Sequence, residues 1–174
     1  MMENLEINME RLVLKPLGKK YLKSTIQYAM DYENTKYMCH LPDETVEEAE
    51  EFLANVEKEW KKEQPEFLEL GVIYHGMHIG AVSVYFENQT GELGWIINKN
   101  YWGNGFAYEA AKALIHYVKA ERQVSHFMAH CDTENTASYK VMEKLGMSRT
   151  GEWSGRRNKS ASKDSLEYQY ELYL

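Results

Sequence analysis

With 174 residues, 44% apolar and 13% aromatic, the chain has enough material for one sizeable core and is no disordered tail. Its 27 acidic residues against 20 basic ones leave a formal net charge of −7, the wrong sign for gathering nucleic acid by phosphate neutralisation, whereas an acidic surface suits amine or polyamine ligands. No apolar run approaches the roughly 18 residues of a membrane helix, the opening MMENLEINMERLVL is no secretory signal, and Cys39 and Cys131 stand apart without metal-ligand spacing. These features predict one domain over 1–174, cytoplasmic, with reduced thiols, no metal and no membrane or nucleic-acid partner.

In chain order, RLVLKPL (11–17) alternates Leu12 and Leu14 with Arg11, Val13 and Lys15 up to Pro16, as a short first strand does. KKYLKSTIQYAM (19–30) places Tyr21, Leu22, Ile26, Ala29 and Met30 near helical spacing. Thr45 and Glu48 form a capping box ahead of Val46, Ala49, Leu53, Val56 and Trp60, which predicts an amphipathic helix over 44–62. After Pro65, β-branched and aromatic residues separated by HGM and ENQTG predict three antiparallel strands over 66–74, 78–87 and 91–97. A glycine turn follows, then a helix with Phe106, Ala110, Ala113, Leu114 and Tyr117 on one face. SHFMAHC (125–131) reads as a strand, 136–145 as a short helix stopped by Gly146, and 147–153 and 166–173 as final strands around the polar loop SGRRNKSASKD. The order indicates an α+β fold: a mixed, mainly antiparallel sheet of about six or seven strands flanked by about four helices.

The turn WGNGFA opens a helix, where unpaired amides and the positive end of the helix dipole can bind a phosphate, and glycine lets the ligand approach. A lone GxG more often makes only a tight loop. There is no GxxxxGK[ST] loop, and the turn lacks the third glycine of the dinucleotide fingerprint, which disfavours ATP and NAD.

Taken together, GELGWIINKNYWGNGFAYEAAKALIHYV and the later ENTASYKVMEKLGM resemble the GNAT superfamily of N-acetyltransferases, in particular the branch of ribosomal-protein N-terminal and spermidine acetyltransferases. The resemblance spans about 91–147. It implies the acyl-CoA N-acyltransferase fold and acetyl-CoA as co-substrate. The family's [QR]-x-x-G-x-[GA] signature falls on Trp102, Gly103, Asn104, Gly105, Phe106 and Ala107, with Tyr108 next in the helix; their amides would hold the pyrophosphate, and Trp102 departs from the commoner Gln or Arg. The resemblance further implies main-chain contacts from Trp95, Ile96 and Ile97 to the pantetheine arm, and a contact from Asn135.

Attack of an amine on a thioester needs a neutral amine and a route for the departing thiolate. Many relatives place a Tyr acid seven residues after the Asn, where this chain has Met142, which cannot donate. Ser138, one turn after Asn135, is the candidate donor, or else a small residue packed against the cofactor; Tyr139 points roughly 100° away. Glu92 and His130 are alternative bases, each of which could instead be structural. His130 and Cys131 face opposite sides of a strand, so HCD is not a nucleophilic pair. The resemblance implies acetyl transfer to a primary amine: first a protein N-terminus, alternatively a polyamine or aminoglycoside-like amine, and from another class a silent acyl-CoA-binding module. A monomer and a homodimer are equally compatible.

Overall fold

The computed structural model describes residues 2–174. Its first half runs β1 (Ile7–Asn8), β2 (Leu12–Pro16), α1 (Leu22–Ala29), α2 (Tyr32–Thr35), α3 (Val46–Trp60), β3 (Phe67–Tyr74), β4 (Met77–Glu87) and β5 (Thr90–Ile97). The second half runs α4 (Phe106–Arg122), β6 (His126–Asp132), α5 (Thr136–Lys144), β7 (Ser148–Arg156) and β8 (Ser165–Tyr173), with 3-10 turns at Lys19–Tyr21 and Lys99–Tyr101. All eight strands form one sheet in the order β1-β2-β3-β4-β5-β6-β8-β7. Among the described residues, eight strands and five α-helices therefore replace the expected six or seven and four. The additions, β1 and α2, span two and four residues, too short for any periodicity to register.

Local chemistry sets the longer elements. Thr45 Oγ1 caps α3 by accepting from Glu48 N at 3.2 Å, while the Glu48 carboxylate reaches past it to Glu44 N at 2.8 Å. Along β3, alternation turns Leu68, Leu70, Val72 and Tyr74 to one face and Glu69, Gly71 and Ile73 to the other. The first face meets α4, where Tyr74 packs on Phe106 with ring centroids 4.7 Å apart. The second face meets α1: a Cβ on Gly71 would touch His78, whose ring packs against Tyr21 and Tyr28. α3 lies over β3, and the core includes Leu53, Leu70, Val84, Leu114 and Phe127, each fully shielded from solvent. Burying each side chain of this size contributes about 1.5–3 kcal/mol.

The one parallel pair among the described residues carries the functional consequence. β5 returns through α4 to lie beside β6, but their register runs only over Thr90↔His126, Gly91↔Phe127 and Glu92↔Met128. Beyond Glu92 the strands part, because β6 continues in register with β8 as far as Asp132↔Glu167 while β5 stays with β4 as far as Gly80↔Ile97. A wedge opens in the middle of the sheet. Among the described residues no helix is long and apolar enough to cross a membrane.

Candidate active site

The wedge leads into a cleft of about 950 Å³ between the start of α4, the start of α5 and the segment after α2. Asn98 N–H bonds to Ile79 O of β4, so alternation turns the main-chain groups of Leu93, Trp95 and Ile97 toward the open side. Ile96 differs from the sequence reading: its main-chain groups lie on the β4 side, opposite Ala81, and its side chain lines the cleft. The Ile97 carbonyl on the open side accepts from Asn34 Nδ2 at 2.6 Å and from Trp102 Nε1 at 2.7 Å.

Gly103 and Gly105 adopt φ of +79° and +77°, the left-handed region that side chains avoid. Gly105 is the N-cap of α4, and no side chain caps this helix. The first intrahelical bond is Glu109 N to Gly105 O, which leaves the Phe106, Ala107 and Tyr108 amides directed out of the helix end. A Cβ on Gly103 would meet nothing within 4 Å, so the space above the turn is open. The turn is braced from behind. Arg11 pairs with Glu109 at 2.7 Å, donates to Asn104 O at 2.9 Å and stacks over Phe106, while Asn104 Nδ2 bonds to Tyr101 O. Asn104 is thus absent from the cleft lining and supports the turn from outside. Phe106 is buried and presents only its amide. Tyr108 lines the cleft, with the ammonium groups of Lys144 and Lys112 at 4.3 and 5.7 Å from its ring.

Glu92 and His130, read from sequence as alternatives, form a pair, with His130 Nδ1 2.9 Å from Glu92 Oε1. Glu92 sits at the last register position before the wedge. The His130 hydrogen bond holds its carboxyl below the ordinary range, and the same bond raises the His130 imidazole despite partial burial. Asn135 caps α5 by accepting from Ser138 N at 3.3 Å, leaving its amide NH₂ for a ligand. Ser138 lines the cleft beside Cys131, whose buried thiol is pushed up to about 11 by desolvation, an inert neighbour rather than a nucleophile. Met142, 1% exposed, adds an apolar surface.

The far wall was not legible in the sequence. Arg156 donates to Tyr37 O at 2.8 Å and to Asn158 Oδ1 at 2.8 Å and pairs with Glu167, while Lys159 N bonds to Met38 O. The loop after β7 thereby straps the segment after α2. Asp132, 1% exposed, accepts from Asn158 Nδ2, Ser165 Oγ and Glu134 N; burial pushes its carboxyl up, and these bonds more than offset it. Glu33, Glu92, Glu134 and Glu167 all line the cleft, against Lys36, His40, His130 and Arg156. Among the described residues no group of three or more His, Cys, Asp or Glu is arranged to hold a metal ion.

Residues 11–148 match the acetyltransferase (GNAT) domain family. An uncharacterized N-acetyltransferase of Bacillus subtilis, YnaD, is 32% identical over 149 residues, covering 84% of this chain and 85% of its own. The crystal structure of a GNAT-family acetyltransferase from Bacillus anthracis is 29% identical with a TM-score of 0.81, covering 97% of this chain and 98% of its own. RimL, a ribosomal alpha-N-protein acetyltransferase solved in complex with coenzyme A, has a TM-score of 0.83 over 98% of each chain at 14% identity, a likeness of fold alone.

Proposed function

This chain belongs to the GNAT acetyltransferase family, and from that premise we propose that it takes acetyl-CoA as donor and a protein N-terminus as acceptor. The observation that carries the donor half is the uncapped start of α4 behind two left-handed glycines, beside a sheet split at Glu92. The directed amides of Phe106, Ala107 and Tyr108 suit a pyrophosphate without any basic side chain. Main-chain groups of Leu93 and Trp95 on the open edge suit the amide-bearing arm, which would add to β5 as a strand does. Bound there, acetyl-CoA supplies an activated acyl group whose leaving thiol, with a pKa of about 8.5, departs without a strong acid.

The residues then divide the work. Glu92, with its side chain 54% exposed, attracts the acceptor's ammonium and accepts its proton in concert with His130. Ser138 and the amide end of α5 face the departing thiolate, and Met142 keeps that end dry. Ser138 is a weak donor, so its part in the rate is small.

The acceptor reading is supported by the length of the cleft, which continues past the chemistry to Glu33 and Arg156 and has room for the first residues of a peptide. A second reading, a small polyamine, is favoured by the carboxylates of Glu33, Glu92, Glu134 and Glu167 around the cleft. Free thiol released from acetyl-CoA, measured with a panel of N-terminal peptides and a panel of small amines, tests both. Turnover on peptides supports the first reading, turnover confined to amines supports the second, and turnover on neither leaves a binding module.

A further inference from the structure

Gln169 stands in the middle of β8, opposite His130 in the ladder with β6. Its own neighbours orient its amide: Nε2 donates to Glu171 Oε1 at 2.7 Å and to Thr150 Oγ1 at 3.2 Å. Oε1 is left facing His130 Nε2 at 3.1 Å. A flipped amide would set its oxygen against the Glu171 carboxylate and lose that bond. Glu171 is itself held by Tyr173 OH at 2.9 Å and His126 Nε2 at 3.3 Å, so the orientation is fixed from β6, β7 and β8. His130 therefore lies between two acceptors, Glu92 Oε1 and Gln169 Oε1. Only a ring protonated on both nitrogens satisfies both.

We propose that Gln169 is a positioning residue for proton removal, its side-chain carbonyl orienting the His130 ring and stabilising the imidazolium formed when the Glu92–His130 pair takes the acceptor's proton. The proposal rests on the acetyl-transfer reading. The step balances: an ammonium gives one proton to the ionised Glu92 carboxylate, and that same proton, carried on Oε1, passes to Nδ1 of a neutral His130, leaving Glu92 ionised again. That ring already holds a proton at Nε2, shared with Gln169. The amine keeps the electron pair of the broken N–H bond for attack on the acyl carbon, and the imidazolium afterwards releases one proton to solvent or to the departing thiolate. The charged groups facing the pair are Glu92 itself on β5, Glu167 on β8, and His40 from the segment after α2, which lies toward Glu92. The Glu92 bond first and the Gln169 bond next raise the imidazole, against desolvation.

Gln169→Leu removes the acceptor at Nε2 and should move the His130 titration down by about one pKa unit, whereas Gln169→Glu places a second carboxylate there and should move it up by about as much. Two readouts are taken on each variant: the ring's NMR titration in the ligand-free protein and the pH profile of kcat with the best acceptor. The expected result is opposite shifts for the two variants, the kcat inflection following the ring while KM for acetyl-CoA stays constant. A His130 midpoint that is unmoved in the Leu variant, or that moves the same way in both, overturns the proposal. So does a kcat inflection that ignores the ring. The NMR arm needs no turnover; wild-type protein that releases no thiol with any acceptor overturns the acetyl-transfer reading and the proton-removal role together, whatever the ring does.

Discussion

Gly105 and Gly76 form a natural matched pair for testing the phosphate turn. Both hold nearly the same backbone angle, φ of +77° and +78°. A Cβ on Gly76 would meet nothing within 4 Å, and one on Gly105 only Arg11 Nη2 at 3.8 Å, an ordinary contact. Substitution by Ala should therefore destabilise the unliganded protein by the left-handed backbone penalty alone, about 1–2 kcal/mol in each case. Binding should separate them. Gly76 lies in the β3–β4 turn, away from the cleft, whereas Gly105 leads directly into the amides that would receive the pyrophosphate. A methyl group there lifts the anion off its nearest donor. One hydrogen bond to a charged group contributes about 1.5–3 kcal/mol, which corresponds to a loss of about 10- to 150-fold in Kd. Calorimetric titration of coenzyme A into both variants, with thermal melts in its absence, makes the measurement, and Gly105→Val should lose still more affinity. If Gly105→Ala is folded and binds coenzyme A as tightly as Gly76→Ala does, the phosphate-turn argument fails.

Glu69 is buried and held only by Tyr85 OH, at 2.8 Å, and desolvation raises its carboxyl from the ordinary 4.5 to about 7. A raised carboxyl stabilises the fold fully below the unfolded value and loses that contribution as pH climbs through the folded one, so about 3 kcal/mol should disappear between pH 4.5 and somewhat above 7. Denaturant titrations of wild type and Glu69→Gln at pH 5 and 8.5 should show the variant losing less over that span, and equal losses would refute the assignment. Ser138→Ala should lower kcat less than about tenfold, well short of the ~100-fold or more of strong acid catalysis, with coenzyme A affinity unchanged; abolished turnover would make Ser138 an obligatory donor. Glu92→Gln removes the anion that raises His130, so the kcat profile should keep a lower plateau with its inflection at lower pH, and His130→Ala should erase that inflection. Wild-type profiles in both variants would remove the pair from proton transfer.

Where a single element carried its own signal, the sequence was readable. The β4 and β5 strands announce themselves by alternation and bounding turns, and α3 by Thr45 and Glu48, because those patterns depend only on neighbours. The pairing of Glu92 with His130 does not: the two are 38 residues apart and meet through a parallel register that the packing of α4 decides. Gln169 sits in SLEYQYELY, where polar residues simply read as the solvent side of a strand. Trp102 looked like a substitution at a cofactor position, whereas its indole ties the turn back to Ile97 O at 2.7 Å. Arg11 braces Asn104 across 93 residues, a contact no local pattern encodes. The sequence groups Ile96 with its neighbours, because a run of apolar residues does not reveal which main-chain groups face the open edge.

The two ends of the cleft are written in different alphabets. The α4 end offers backbone amides, which every residue except proline provides, so most substitutions there leave the offer intact and the burden of identity falls on Gly103 and Gly105. The opposite end is side chain to backbone: Arg156 holds Tyr37 O, and Lys159 Nζ holds Pro42 O at 2.7 Å. If the acceptor binds at that end, as proposed, exchanging the segments 36–43 and 156–164 as a unit should alter acceptor choice and leave acetyl-CoA binding unchanged. One end of the cleft is thus set by backbone geometry, and the other by two segments that are tied to each other.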